Sequence, residues 1–255
     1  MMLPLLRSEP AHVAGDALRD RVVLITGVTG GLGRACAISC AKAGATVVLV
    51  GRKVRALEAF YDELEGLAAP KPAIYPIDLE GATADDYLDM AEAIRFQCGR
   101  LDAIVHAAVL FDGLRPMDQF KPIDWLRIQQ VALNAPFLIT QACMPLLRAN
   151  ADAAVVFVMD DAERIGKAFW GSYGVAKSAL GALTSILHQE TENSPVRIHA
   201  VLPPPMRTGL RRMAYFGENT LERELPEATA AAVTWLLSDA GSAMRGYTLD
   251  LRPAA

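Results

Sequence analysis

The run Val22-Val23-Leu24-Ile25-Thr26-Gly27-Val28-Thr29-Gly30-Gly31-Leu32-Gly33 reads as a buried strand that breaks at a glycine cluster and restarts as a helix. A short apolar, β-branched run bounded by turn residues is what a strand buried on both faces looks like. After it, Leu32–Ala43 carries apolar side chains at three- and four-residue spacing, the period of a helix. Glycine permits the tight turn between the two and lets main chain approach a ligand closely. The helix start adds unpaired N–H groups and a partial positive charge, so strand, glycine turn and helix together suit a phosphate group.

Outward from this unit the alternation continues. Thr46–Val50, Ala73–Ile77, Ala103–Val105, Ala153–Val158, Arg197–Leu202 and Tyr247–Leu251 are further strand candidates, making seven with Val22–Ile25. Between them Val54–Leu67, Ala84–Gln97, Trp125–Arg148, Tyr173–Thr191 and Pro226–Ser238 have helical spacing. Parallel strands need long crossovers, and helices supply them on both faces. The expectation is α/β: a Rossmann-type doubly wound sheet of about seven mostly parallel strands with helices on both faces. No Pro- or Gly/Ser-rich linker and no repeat interrupts it, so residues 1–255 read as a single dinucleotide-binding domain whose residues 1–20 form a loose N-terminal extension. The irregular stretch Met206–Leu225 stands where a substrate-covering loop would sit, with a disordered connector as the other reading.

Composition narrows the function classes. Hydrophobic residues make up 52% of the 255 and charged residues 21%, a globular profile. A formal charge of −4 with scattered basic residues offers no general attraction to nucleic acid or anionic lipid. No apolar run reaches the roughly 18 residues of a membrane span, and the Met1–Leu6 start is too short for a signal sequence, so the expected location is cytoplasmic. Cys36, Cys40, Cys98 and Cys143 read as reduced core thiols, and no His, Asp or Glu grouping has metal-ligand spacing. His12 and His188 read as solvated, His106 and His199 as core or site-lining. No Gly-x-Ser-x-Gly elbow supports a serine hydrolase.

In dinucleotide folds an acidic residue ending the second strand accepts hydrogen bonds from the adenosine ribose when NAD is preferred. Here Gly51-Arg52-Lys53 leaves that place to two cations, which favours NADP(H) over NAD(H). The spacing Thr26-Gly27-x-x-x-Gly31-x-Gly33 resembles the nucleotide signature of the short-chain dehydrogenase/reductase family, and the resemblance covers nearly all of Val22–Leu251. It implies that Gly27, Thr29, Gly31, Leu32 and Gly33 hold the cofactor. It further implies that Asp78 and Leu79 meet the adenine, Ala107 and Ala108 line the ribose, and Pro203 and Thr208 lie by the nicotinamide. Asp78 also reads as a turn cap, and Arg52 as an ordinary solvated charge.

Tyr173-Gly174-Val175-Ala176-Lys177 places a phenol and an ammonium one helical turn apart on one face. A nearby cation favours the phenolate, and Tyr173 can then exchange a proton with an alcohol or carbonyl, while the resemblance implies that Lys177 also holds the ribose. The family pattern has a serine thirteen residues before the tyrosine, where this chain has Asp160. It has an asparagine holding a relay water where this chain has Ala132, with Asn134 on another side of the helix. Its Asn-Asn-Ala-Gly element reads His106-Ala107-Ala108-Val109, and its Pro-Gly loop carries Pro204 for the glycine. Asp160 is expected either to pair with Lys177 or Arg164, or to be protonated and donate the missing hydrogen bond, with Asp161 adding like charge beside it.

Two readings therefore stand. One is an NADP(H)-dependent oxidoreductase acting weakly on a carbonyl or secondary alcohol through Tyr173, Lys177 and Asp160. The other is a non-catalytic nucleotide-binding or partner-subunit member of the same fold. The resemblance also implies a homodimer or homotetramer built on the two long helices, which are apolar over more than one stripe.

Overall fold

A computed structural model describes residues 2–7, 13, 15–67 and 69–253. The strands are β1 (Leu5–Leu6), β2 (Val22–Thr26), β3 (Thr46–Gly51), β4 (Ala73–Pro76), β5 (Ala103–His106), β6 (Ala153–Val158), β7 (Val196–Leu202) and β8 (Thr248–Asp250). They form one sheet in the order β1-β8-β7-β6-β5-β2-β3-β4, and every pairing is parallel. The helices are α1 (Gly31–Lys42), α2 (Val54–Glu65), α3 (Ala84–Cys98), α4 (Pro122–Gln129), α5 (Ala135–Arg148), α6 (Ala162–Ile165), α7 (Gly171–Thr191), α8 (Gly209–Ala214) and α9 (Glu227–Leu237). A π-helical turn, Gln130–Asn134, joins α4 to α5.

Side chains alternate across each strand, so one strand feeds two cores. Val23, Ile25, Val47, Leu49, Ala154 and Val156 point to the face covered by α1, α2 and α9, where Cys36 and Cys40 also lie buried. Val22, Leu24, Val48, Val50, Val155 and Phe157 point to the face covered by α3, α5 and α7. Burial pushes the Cys36 thiol up and the Cys40 and Cys143 thiols up to about 12, which suits packing rather than nucleophilic chemistry.

Three expectations need correction. The first twenty residues are not loose throughout: Leu5 and Leu6 pair with Thr248 and Leu249, Leu3 is buried, and Leu18 N–H donates to Ala43 O. A two-residue edge strand has too few residues to show a period. His12 lies outside the described residues, and His188 is half-buried instead of solvated. The Met206–Leu225 stretch is also partly ordered, since Thr208 caps α8 and Arg211 and Arg223 both bind Glu218. Pro122–Arg148 is long and apolar enough to cross a membrane, and it packs as a core helix that buries Ile128, Val131, Ile139 and Leu147.

A buried charge cluster on β7 went unread in the sequence. Arg197, 2% exposed, bonds Asp152 through both Nε and Nη2 and also reaches the carbonyls of Leu236 and Ser238. Its Nη1 meets His199 Nε2 at 3.0 Å. A guanidinium only donates, so Nε2 accepts and Nδ1–H faces Met244 O. Burial and then the Arg197 charge pull His199 down to about 3, and burial and then Lys177 do the same to His106. Both folded values lie below the unfolded one of about 6.5, so this stability is present above pH 6.5 and is lost as pH falls toward 3. Each histidine is expected to cost about 2 kcal/mol by pH 5. Urea melts should show the midpoint falling between pH 7 and pH 5, and a flat profile would refute the neutral-histidine assignment.

Candidate active site

β2 pairs with β3 on one side and β5 on the other, so the crossovers diverge at its C-terminal end and leave a crevice there. Two adjoining cavities of about 350 and 250 Å³ fill it, with Gly27, Gly30, Ala107 and Val109 in their common wall. Gly27 has φ +72°, and a side chain there would meet the Ala108 backbone at 2.7 Å. Ala108 N–H donates to Thr26 Oγ1, which ties the loop after β5 to the glycine turn. A side chain at Gly33 would strike Gly27 O at 2.3 Å, so only glycine lets α1 start against the turn. The N-cap, Gly30, supplies no side-chain hydrogen bond and the first turn holds no acidic residue. Its N–H groups are open to an anion, and these residues fit a pyrophosphate.

Of the expected cofactor residues, Gly27, Gly31, Leu32, Gly33, Ala107, Tyr173, Lys177, Pro203 and Thr208 line the larger cavity. Thr29, Arg52, Asp78, Leu79 and Ala108 line the smaller one. Lys53 lines neither and is exposed at the N-terminus of α2, next to Arg52. Asp78 caps a turn, accepting from Glu80 N–H, and still borders the cavity. Arg52, its side chain half exposed, has Nη1 2.6 Å from Glu80 Oε1. Arg127 Nε lies 2.6 Å from the other Glu80 oxygen. That bond, with Arg52 adding to it, holds the Glu80 carboxyl below its ordinary range. Two cations thus share one carboxylate, while Asp78 borders the same cavity and Asp124 lies 3.6 Å from Arg127. Nothing local in the sequence marked Glu80, because the contact joins loops after different strands.

At the other end of the crevice α6 packs against the start of α7, where a side chain at Gly174 would strike Ile165 O at 2.4 Å. That close approach brings Arg164 over the Trp170 ring at 4.8 Å and beside Asp160. Asp160, its side chain 8% exposed, pairs with Arg164 and accepts from Asp161 N–H, while Tyr173 Oη donates to its Oδ2 at 2.6 Å. Of the alternatives for Asp160 the geometry realises the Arg164 ion pair, and three donors mark the carboxylate as an acceptor. Asp161 lines the same cavity, where it caps α6 and has its charge paired with Arg252 at 2.9 Å. Phe111, Trp170 and Tyr173 pack as an aromatic wall.

Burial, and then the charge and hydrogen bond of Asp160, hold the Tyr173 phenol well above its ordinary range. The Lys177 charge is not among the groups that shift it. Lys177 Nζ instead donates to Val158 O at 2.8 Å, and burial pulls it down to about 8 against the Asp160 charge. Val109, at the junction of the two cavities, is 38% exposed. Arg164, Arg252 and Glu80 are the site members that pattern reading did not assign to cofactor or catalysis.

A family model described as short chain dehydrogenase matches residues 21–217. The chain belongs to the short-chain dehydrogenase family. The oxidoreductase YciK of Escherichia coli K12 is 31% identical over 238 residues, 93% of this chain and 94% of that protein. A short chain dehydrogenase from Escherichia coli CFT073, solved as a complex with NADPH, is 31% identical with a TM-score of 0.90, covering 94% of this chain and 100% of that one. Another from Shigella flexneri 2a strain 301, complexed with NADP, is 30% identical with a TM-score of 0.88 and covers 93% of this chain and 99% of that one. The Rossmann-type doubly wound sheet read from the sequence is the fold they share.

Proposed function

We propose that this short-chain dehydrogenase is an NADP(H)-dependent oxidoreductase of low turnover on a carbonyl or secondary alcohol. The observation that carries it is the Tyr173 phenol and the Lys177 ammonium lining the same crevice as the uncapped glycine turn. The nucleotide named for the neighbours of 30–31% identity agrees with the Arg52 corner. Gly30–Gly33 would hold the pyrophosphate, Arg52 the 2′-phosphate, Asp78 and Leu79 the adenine, and Pro203 and Thr208 the nicotinamide end. When bound, NADPH supplies the hydride. Tyr173 Oη gives its proton to the substrate oxygen, and Lys177 holds a positive charge behind it. Asp160 restrains that proton and Arg164 balances the carboxylate. The apolar wall of Phe111, Met206 and Met213 excludes water and suits a substrate with an apolar body.

The reading includes a cytoplasmic location, one dinucleotide-binding unit, and a homodimer or homotetramer; exposed Phe137, Val175 and Ile186 on α5 and α7 support the last. A non-catalytic role keeps one specific observation in its favour, the phenol proton engaged by Asp160. Titrating NADPH into the protein and then adding a carbonyl panel separates the two readings. Saturable binding with slow NADPH oxidation supports the enzyme, and binding without turnover the alternative.

Cofactor choice is a separate test of the Arg52 corner. Arg52→Ala is expected to weaken NADPH by about 1.5–3 kcal/mol, the worth of a charge-assisted pair, and to leave NADH unchanged. Fluorescence titration of both nucleotides measures it. Equal affinities for the two in the unaltered chain contradict the assignment.

A further inference from the structure

Glu80 lines the smaller cavity from the turn between β4 and α3, and hydrogen bonds hold that turn in place. Its own N–H donates to Asp78 Oδ1 at 3.1 Å, and the N–H groups of Gly81 and Ala82 both donate to Asp78 O. The carboxylate, its side chain 15% exposed, is gripped from two sides, by Arg52 Nη1 at 2.6 Å and by Arg127 Nε at 2.6 Å. Arg52 comes from the β3–α2 junction with its side chain 52% exposed, so of that pair the guanidinium is the member free to swing.

Arg52 is already matched by acidic groups before a ligand arrives. Arg52, Arg127 and Arg115 stand against Glu80, Asp78, Asp124 and Asp112, linked by contacts of 2.6 to 3.6 Å or by a shared cavity wall. A 2′-phosphate adds about two negative charges at neutral pH. It can take Arg52 as a bidentate partner only if Glu80 lets go. With both anions on one guanidinium, like charges would lie within a few ångströms of each other in a cavity of about 250 Å³. Arg127 is placed to keep the released carboxylate, because it already holds the other oxygen, Oε2.

We infer that Glu80 is a specificity-determining residue: its carboxylate competes with the cofactor's 2′-phosphate for Arg52, and Arg127 holds Glu80 when Arg52 turns to the phosphate. Specificity is a difference between two affinities, and a carboxylate set against the phosphate narrows it. NADH carries a hydroxyl in that place and leaves the Arg52–Glu80 pair intact. Glu80 thus damps the preference for NADPH, and Arg127 restores part of it. The inference rests on the reading of Arg52 as the phosphate ligand.

Calorimetric titration of NADPH, NADH and adenosine 2′,5′-bisphosphate into the full chain tests it without any turnover. Glu80→Gln keeps the shape of the side chain and removes its charge. It should bind NADPH and the bisphosphate about tenfold more tightly than wild type does, and NADH within about twofold. Arg127→Ala should weaken both 2′-phosphate ligands about tenfold, because Glu80 then keeps Arg52. In the Glu80→Gln background the same substitution should change nothing. Unchanged NADPH affinity in Glu80→Gln overturns the proposal. So does a loss from Arg127→Ala that is as large in Glu80→Gln as in wild type, which makes Arg127 a direct phosphate ligand. An Arg52→Ala protein that holds NADPH as tightly as wild type defeats the reading of Arg52 and this inference with it. A wild type that binds NADPH but reduces no carbonyl defeats the proposed function alone, and the titrations still decide the role of Glu80.

Discussion

Replacing Tyr173 by phenylalanine is expected to lower NADPH-dependent carbonyl reduction by about 10³-fold or more. The substitution is close to isosteric. The ring contacts with Phe111 at 5.3 Å and Trp170 at 5.7 Å survive it, so the wall of the crevice should stand. What disappears is one hydroxyl of the crevice lining, the group that the proposed reaction uses to protonate a substrate oxygen. Asp160 loses one of three donors and keeps Arg164 and the Asp161 N–H, so the fold should lose no more than about 1–3 kcal/mol. NADPH affinity should stay within a few-fold of the unaltered protein, because the glycine turn and the Arg52 corner are untouched. Steady-state rates with a fluorescence titration on the same sample measure both quantities. Activity above about a tenth of the original would assign the proton to some other group.

The second large effect runs the other way: Asp160→Ser should raise the reduction rate by about 10²-fold, the usual worth of one preorganised donor at a developing oxyanion. Two changes add. The carboxylate that now takes the Tyr173 proton at 2.6 Å is removed, so the phenol gives it up more readily. A hydroxyl also arrives that can donate to the substrate oxygen. Arg164 loses its partner and, with its side chain 24% exposed, retains the Trp170 ring and partial solvent access, so some stability is surrendered. Tight NADPH binding with a faster rate is the expected result. A slower Asp160→Ser enzyme would make the aspartate a working acid in the wild type, against its present role as acceptor. No turnover in either form, with NADPH bound, favours the non-catalytic reading.

Periodicity and turn chemistry are local properties, and what rests on them was legible from residues alone. Strands β2 to β8, the helices that spacing marked between them and the glycine turn at Gly27–Gly33 lie within three residues of where spacing put them, the helix read as Trp125–Arg148 being broken by a π-turn. Each is set by side chains a few positions apart. The all-parallel sheet followed as well, since helix-length crossovers leave few other topologies. β1 was missed because a two-residue strand is specified by the edge of β8 it joins, not by its own pattern.

Partner choice among charged and polar groups was decided only by tertiary structure. Spacing placed Asp160 near both Lys177 and Arg164; the close approach of α6 at Gly174 gave it to Arg164 and sent Lys177 to Val158 O. Asp161, adjacent in the chain, pairs with Arg252 ninety-one positions away, a partner that sequence neighbourhood does not show. Arg52 meets Glu80, and Arg197 meets Asp152, across loops that only the assembled sheet brings together. The proton position on His199 follows from a neighbour that can only donate. Hydrophobic period is written every few residues and survives any packing, whereas an ionisable group takes its state from whatever the fold sets within a few ångströms of it and from how much water that excludes.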